Sequence, residues 1–279
     1  MCIRDRNNDI GVMQGRLLPK YKGRYQAHPL GYWQDEFYIA KDLGLDCIEF
    51  ILDYENAELN PLIKEGGIDE IINVTKQTRV GVKSICADYF MDAPIHSEDI
   101  EISNSSQKIL EKLLDNAFKL EVKNIVIPCV DQSSLTNEAL IKKFIQLLTP
   151  LVKIAEKYKI NLSLETDLNP ETFLQLIQSF DSSRVSVNYD VGNSAHLGYD
   201  LFEELDHYGE KITDIHIKDR VLGGGSVELG KGNADFEGFF TKLKEFDYKG
   251  PFILQAYRDD EGVEIFKKQL DWIRQYLYE

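Results

Sequence analysis

The chain of 279 residues is long enough for one large domain, and its 43% hydrophobic and 28% charged residues are typical of a globular protein. Acidic residues number 47 against 32 basic ones, and the resulting formal net charge of −15 is spread along the chain, which argues against a nucleic-acid partner. No run of about 18 apolar residues is present, so the sequence predicts no membrane span.

The N-terminal residues and the cysteines give a first indication of compartment. Residues 1–8, "MCIRDRNN", are polar and lack the apolar stretch of a signal peptide, so we interpret them as a disordered leader before a domain over residues 9–279. The chain has four widely separated cysteines, Cys2, Cys47, Cys86 and Cys129. Because no zinc-binding spacing is present, they are typical of reduced thiols and favour a cytoplasmic location.

Short segments rich in β-branched residues alternate with segments of helical period along the chain. Strands are predicted over residues 9–17, 47–52, 82–89, 124–130, 161–165, 185–190, 212–218 and 251–256. Helices are predicted over residues 34–43, 69–78, 105–119, 137–158, 170–180, 201–208, 236–246 and 263–278.

Eight strand–helix pairs indicate a parallel sheet with right-handed crossovers, because the strands are too far apart in sequence for hairpins. Eight such units in this length favour a closed (β/α)8 TIM barrel of the α/β class, built as a single domain. A dinucleotide-binding fold is disfavoured, because no GxGxxG motif follows the first strand.

Polar side chains stand at the ends of the predicted strands, where barrels of this kind carry their chemistry. Gln14 and Arg16 follow the first strand, Glu49 lies near the end of the second and Asp88 closes the third. The last four strands end in Glu165, Asp190, His216 and Gln255.

Each of these four residues has an ordinary alternative, since an acidic residue after a strand is often a helix N-cap and a lone histidine is usually structural. Together they favour a metal site, because two carboxylates in a small barrel mouth repel each other unless a cation compensates them. Oxygen donors with one imidazole favour Mn²⁺, with Mg²⁺, Co²⁺ and Zn²⁺ left open.

The segments "LSLETD", "VNYDVGN", "DIHIKDR", "LGKGNADF" and "GPFILQ" occur in an order and spacing that resemble the xylose-isomerase-like TIM barrels. Within these, the chain is similar to the sugar-phosphate isomerase/epimerase group, which includes ketose 3-epimerases and L-ribulose-5-phosphate 3-epimerase-like proteins. The resemblance implies one divalent ion held by Glu, Asp, His and a second Glu. It also implies that both Glu residues move protons through a metal-stabilised enediolate, with Glu165 as general base.

The chain departs from this pattern at two positions. Gln255 stands in place of the second Glu, and its carbonyl oxygen can coordinate a metal but cannot accept a proton at neutral pH. Asn193 stands where related epimerases often place a histidine. A single base then suffices for an isomerisation or a β-elimination, or Glu49 or Asp88 supplies a second base.

A further set of residues is predicted to contact the substrate. Lys218 and Arg220 suit an anionic or hydroxyl-rich molecule, and the glycine-rich segment 223–232 with Lys231 is either a phosphate seat or a plain surface loop. The full list of predicted substrate contacts is Gln14, Arg16, Glu49, Asp88, Asn193, Lys218, Arg220 and Arg258.

The leading hypothesis is a metal-dependent isomerase or epimerase of a sugar or sugar phosphate. The alternatives are a metal-dependent lyase or dehydratase of a polyhydroxylated ketone, and a barrel that binds a sugar without turning it over. An apurinic-site endonuclease is disfavoured, because only one of the five histidines, His216, ends a strand. Assembly into a homo-oligomer is left open.

Overall fold

The computed structural model describes residues 8–277. The predicted leader lies outside the described residues except for Asn8, whose side-chain amide donates hydrogen bonds to the carbonyls of Tyr248 and Gly250. Asn8 is therefore tied to the segment that precedes the last barrel strand.

Eight parallel strands close into a barrel. They are β1 Ile10–Met13, β2 Cys47–Ile51, β3 Gly81–Cys86, β4 Asn124–Cys129, β5 Asn161–Thr166, β6 Val185–Asp190, β7 Ile212–Ile217 and β10 Phe252–Leu254. Around the ring their order is β1-β10-β7-β6-β5-β4-β3-β2. A small antiparallel pair, β8 Asp219–Arg220 and β9 Ser226–Val227, follows β7. The predicted single-domain TIM barrel is confirmed.

Helices surround the barrel: α1 Asp35–Asp42, α2 Gly67–Thr78, α3 Tyr89–Asp92, α4 Ile100–Lys119, α5 Glu138–Tyr158, α6 Pro170–Gln178, α7 Val191–Leu197, α8 Leu201–Tyr208, α9 Phe236–Leu243 and α10 Val263–Leu277. The sequence did not predict α3 and α7, which start within three residues of a strand end. None of the described helices is both long and apolar enough to cross a bilayer.

The first strand is shorter than predicted, because the chain turns at Gly15. This glycine has a φ of +88°, which favours a residue without a side chain. The buried carboxylate of Glu36 then accepts hydrogen bonds from the backbone N–H groups of Gly15 (2.8 Å) and Leu17 (3.0 Å). The Gln14 N–H still donates to the Glu49 carbonyl of β2, whereas the N–H groups of Gly15 and Leu17 are satisfied by a side chain of α1 instead of a neighbouring strand.

The inside of the barrel is divided between apolar and polar side chains. An apolar cluster fills one side and consists of Met13, Cys47, Ile51, Cys86, Val126 and Ile253. The other side, on β5, β6 and β7, carries buried polar residues at every second position: Ser163, Glu165, Ser186, Asn188, Asp214 and His216. Since successive strand residues face opposite sides of the sheet, this alternation directs a polar column from the barrel interior to its C-terminal rim.

Candidate metal centre and cavity

His216 is at the centre of a buried cluster of acidic groups at the end of β7. Its Nδ1 atom lies 3.7 Å from Glu165 Oε2 and 3.9 Å from Asp190 Oδ2. One donor atom from each of these three residues lies within 4.8 Å of the others. Separations of this size match the spacing between ligands around a single divalent ion with bonds of roughly 2.1 Å.

Gln255, directly after β10, adds an oxygen at the same rim. Its Nε2 atom donates to Gln26 Oε1 at 2.7 Å, and its Oε1 atom is buried without a hydrogen-bond partner among the described residues. An unpaired buried carbonyl oxygen is costly, so this atom fits a role as an electron-pair donor to a cation. The donor set of two carboxylates, one imidazole and one amide oxygen therefore fits a divalent ion.

Glu49 lies beneath the cluster and holds the histidine ring. His216 Nε2 donates to Glu49 Oε1 at 2.8 Å, and Glu49 Oε2 accepts from the Ser84 hydroxyl. This hydrogen bond directs Nδ1 toward Glu165 and Asp190, an arrangement that fixes the orientation of metal-binding histidines. Asp214, two residues before His216, completes a second acidic group with Glu49 deeper in the barrel.

The electrostatics of the cluster favour positive charge. Burial lowers the pKa of His216, but the Glu49 carboxylate, together with those of Glu165 and Asp190, outweighs this effect and raises the pKa to about 10. Burial, and then the negative charge of Asp190, raise the pKa of Glu165 to about 7. Burial raises the pKa of Asp214 well above its usual range. A positive charge at His216 Nδ1 reduces the repulsion between the surrounding carboxylates, and a divalent ion bound at this place would have the same effect.

Two asparagines position the Glu165 carboxylate. Asn193 Nδ2 donates to Oε1 at 2.6 Å, and Asn188 Nδ2 donates to Oε2 at 3.2 Å. Asn188 also lies 3.2 Å from His216 Nδ1. Asn193, which takes the place of a histidine in related epimerases, therefore fixes the candidate base through a side-chain amide.

Asp190 caps a helix with one carboxylate oxygen and directs the other toward the cluster. Its Oδ1 atom caps α7 by accepting from the Asn193 N–H at 2.8 Å, while Oδ2 faces His216 and lies 3.5 Å from Lys218 Nζ. The helix packs closely because Gly192 has no side chain, and a Cβ there would lie 2.9 Å from the Lys218 carbonyl carbon.

A cavity of about 200 Å³ opens above the cluster at the C-terminal ends of the strands. Of the predicted substrate contacts, four line it: Asp88, Asn193, Lys218 and Arg220. Glu165 and Gln255 also line it. The structure therefore brings these six side chains to one opening, next to His216 and Asp190.

The remaining predicted substrate contacts do not line this cavity. Gln14 and Glu49 are fully buried and bond inward, Gln14 to the Ile51 N–H and Glu49 to His216. Arg258 is 1% exposed, and its guanidinium donates to the carbonyls of Gly15, Asp259 and Asp260.

Arg16 does not line the cavity but contacts a residue that does, because it donates to Gln26 Oε1 at 3.1 Å. Burial, and then the neighbouring Arg258, lower the pKa of Arg16 to about 10.

The glycine-rich segment after β7 contains a small hairpin and is held in place by hydrogen bonds to a buried carboxylate. Asp219 is fully buried, and its carboxylate accepts from the N–H groups of Gly230, Gly232 and Ala234. Arg220 donates to Asn193 Oδ1 at 2.9 Å and to the Gly224 carbonyl. Lys231 is exposed and is not among the residues that line the cavity.

Sequence reasoning missed three residues of the cluster: Gln26, Asn188 and Asp214. Asn188 and Asp214 stand two positions before Asp190 and His216, so strand alternation alone places them on the same inner face. Gln26 lies in the long segment between β1 and α1, where no periodicity marks a side chain that reaches the rim.

A larger cavity, of about 630 Å³, lies at the opposite end of the barrel. Its lining includes the N-terminal strand residues Asn124, Asn161 and Ile212. In barrels of this type the N-terminal end carries stability and the C-terminal end carries chemistry, so the smaller cavity is the candidate active site.

The fold and the site together define a (β/α)8 barrel with a carboxylate–imidazole cluster at its catalytic rim. A family model described as "Xylose isomerase-like TIM barrel" matches residues 37–276. The chain therefore belongs to the xylose isomerase-like TIM barrel family, as the sequence motifs predicted.

The chain is similar to several proteins that are named as sugar epimerases. L-ribulose-5-phosphate 3-epimerase UlaE of Escherichia coli O1:K1 / APEC is 26% identical over 263 residues, which are 89% of this chain and 92% of that protein. The structure of an L-ribulose 3-epimerase superposes with a TM-score of 0.77 at 16% identity, over 97% of this chain and 95% of that one. The IOLI protein with a bound zinc atom superposes with a TM-score of 0.75 at 18% identity, over 96% and 99% of the two chains.

The two solved structures show the shared fold alone. The relatives support a sugar epimerase or isomerase function.

Proposed function

We propose that the protein is a divalent-metal-dependent epimerase or isomerase of a sugar or sugar phosphate. The observation that carries the proposal is the convergence of Glu165, Asp190 and His216 at a rim where the buried Gln255 oxygen has no hydrogen-bond partner within residues 8–277. We propose these four residues as ligands of one ion, Mn²⁺ by the chemistry of the donors. When bound, such an ion polarises a substrate carbonyl and lowers the energy of the negative charge that develops on it.

Glu165 is the proposed general base, which removes a proton from the carbon next to the carbonyl. It lines the cavity, and two amides fix its carboxylate. A pKa near neutrality lets a carboxylate accept and then release a proton at physiological pH. Lys218 and Arg220 would orient the hydroxyl or phosphate oxygens of the substrate.

The three described cysteines, Cys47, Cys86 and Cys129, are free and buried, which favours the reducing cytoplasm as the compartment of this reaction.

Hydrogen exchange tests the proposed function. Protein supplied with Mn²⁺ in D₂O should incorporate deuterium next to the carbonyl of at least one of L-ribulose 5-phosphate, L-ribulose and D-allulose, and should form its epimer or isomer. Loss of water with ultraviolet absorbance from a new enone would identify a lyase instead. Absence of any exchange across these ketoses would contradict the proposal and favour a barrel that only binds sugar.

Glu49→Gln tests how the histidine is held. Without the carboxylate, the His216 ring loses its charged partner and its fixed orientation, so Mn²⁺ should bind about 10- to 100-fold more weakly. Isothermal titration calorimetry measures this change, with Glu58→Gln as a control because Glu58 is exposed on the same segment of chain. An unchanged Mn²⁺ affinity would show that Glu49 does not support the metal site.

A further inference from the structure

Residue 255 cannot serve as an acid or base, because a glutamine amide does not titrate near neutral pH. Epimerisation at one carbon needs proton removal on one face and proton delivery on the other. Glu165 supplies one of these groups in the proposed function. A second group is therefore needed in the cavity, and the structure holds a candidate close to Gln255.

The Gln26 side chain links Gln255 to Asp88. Gln26 Oε1 accepts from Gln255 Nε2 at 2.7 Å, and Gln26 Nε2 donates to Asp88 Oδ2 at 2.8 Å. All three side chains line the same cavity. The carboxylate of Asp88 is thus one amide group away from the side chain that replaces the second Glu of related enzymes.

The position of Asp88 at the rim also suits the second proton-transfer group that epimerisation needs. The four proposed ligands belong to four consecutive strands of the ring, β10, β7, β6 and β5, whereas Asp88 follows β3 in the other half. Glu165 and Asp88 therefore reach the cavity from two separate strands, with β4 between them. A substrate held between these two carboxyl groups would meet one of them on each face.

The surroundings of Asp88 distinguish it from the other two aspartates of the cavity, Asp131 and Asp167. Asp131 is exposed. Asp167 lies two residues after Glu165, just beyond the end of β5, and accepts a hydrogen bond from the Ser134 hydroxyl. Asp88 is half-buried and bonded to Gln26 and to the Cys86 thiol. Burial raises its pKa, so it retains a proton more readily than a surface aspartate.

We propose that Asp88 is the second acid–base residue of the site, acting on the substrate face opposite Glu165. The C–H bond breaks as Glu165 takes the proton, and its electron pair stays in the enediolate. A new C–H bond then forms on the same carbon as the Asp88 carboxyl group gives up its proton. Glu165 ends protonated and Asp88 ionised, and proton exchange with water restores both. This role rests on the proposed function and extends it to a two-base epimerisation.

Asp88→Asn tests the proposal, because asparagine keeps the size of the side chain and an oxygen for the Gln26 bond. With Mn²⁺ in D₂O and L-ribulose 5-phosphate, L-ribulose and D-allulose as probes, epimer formation should fall about 100-fold or more. Deuterium uptake should persist, within about threefold, in the one epimer whose hydrogen faces Glu165. Uptake by the other epimer should be lost.

Matched variants complete the experiment. Asp92→Asn removes the same charge from the exposed end of α3 and should behave as the wild type. Gln255→Glu in the Asp88→Asn background should restore epimer formation, because it returns a carboxylate to the hydrogen-bonded chain that joins position 255 through Gln26 to position 88. Mn²⁺ affinity and thermal unfolding of Asp88→Asn should match the wild type.

Three results would overturn the proposal. If Asp88→Asn forms epimer at the wild-type rate, or loses exchange of both epimers equally, Asp88 is not the second acid–base residue, while the proposed function stands. If the wild-type protein exchanges no hydrogen with any probe, the proposed function fails and the role of Asp88 fails with it.

Discussion

Replacing Glu165 by glutamine should lower the rate of hydrogen exchange between substrate and solvent by about 10³-fold. The carboxylate lines the cavity, and the side-chain amides of Asn188 and Asn193 each donate a hydrogen bond to it. Glutamine keeps an oxygen that can face a cation but removes the atom that takes the proton. The effect should therefore fall on the proton-transfer step, and NMR in D₂O measures it.

The control for this variant is Glu171→Gln, which changes an exposed glutamate at the start of α6. Its exchange rate should equal that of the wild type. Mn²⁺ should still bind to Glu165→Gln, although more weakly, because three of the proposed ligands remain. Exchange in Glu165→Gln at a tenth of the wild-type rate or more would show that another group removes the proton.

Replacing Asp219 by alanine should reduce the free energy of unfolding by about 3 kcal/mol. The buried carboxylate accepts three backbone hydrogen bonds, from Gly230 (2.9 Å), Gly232 (2.8 Å) and Ala234 (3.1 Å). Alanine leaves all three N–H groups without this acceptor, and each unsatisfied donor that stays buried costs about 1 to 3 kcal/mol. The Asp219 side chain packs tightly against this segment, since a Cβ on Gly232 would lie 2.1 Å from Asp219 Oδ1.

Urea unfolding measures this loss, and Asp235→Ala provides the comparison. The Asp235 side chain caps α9 through a single, exposed hydrogen bond to the Gly238 N–H. Its removal should cost about 1 kcal/mol. If Asp219→Ala were no less stable than Asp235→Ala, the segment after β7 would not depend on the buried carboxylate.

The barrel could be predicted from the sequence because its strands are apolar and regularly spaced. Errors fell at the strand ends, where side chains replace neighbouring strands as hydrogen-bond partners. The first strand ends at Met13 instead of residue 17, because Glu36 satisfies the backbone after the turn at Gly15. Helix α7 was not predicted, because Asp190 is both the last residue of β6 and the N-cap of the helix.

The candidate cluster at the rim was predictable from residue type and position, whereas its supporting contacts were not. Glu49 was expected to contact substrate, yet it lies behind His216 and bonds to the ring nitrogen that faces away from Glu165. No sequence pattern shows which side of a histidine a carboxylate will reach. Arg258 likewise bonds to three backbone carbonyls, and its contact with Gly15 exists only once the first and last strands pair.

In the sequence, the replacement of the second Glu by Gln255 left open a single-base reaction, lost chemistry, or a second base supplied by Glu49 or Asp88. The link from Gln255 through Gln26 to Asp88 favours the last of these, with Asp88 moving the proton while Gln255 donates to the metal. The family pattern that the sequence motifs resemble implies a single Glu at this position, which both binds the metal and moves the proton.

A titration of metal-free protein with Mn²⁺, followed by calorimetry, tests most directly whether these side chains share an ion. We expect one Mn²⁺ per chain in the wild type, and no measurable binding in a variant that combines Asp190→Asn with His216→Gln. Wild-type protein that takes up no Mn²⁺, or a double variant that binds it as tightly as the wild type, would contradict the proposed metal centre.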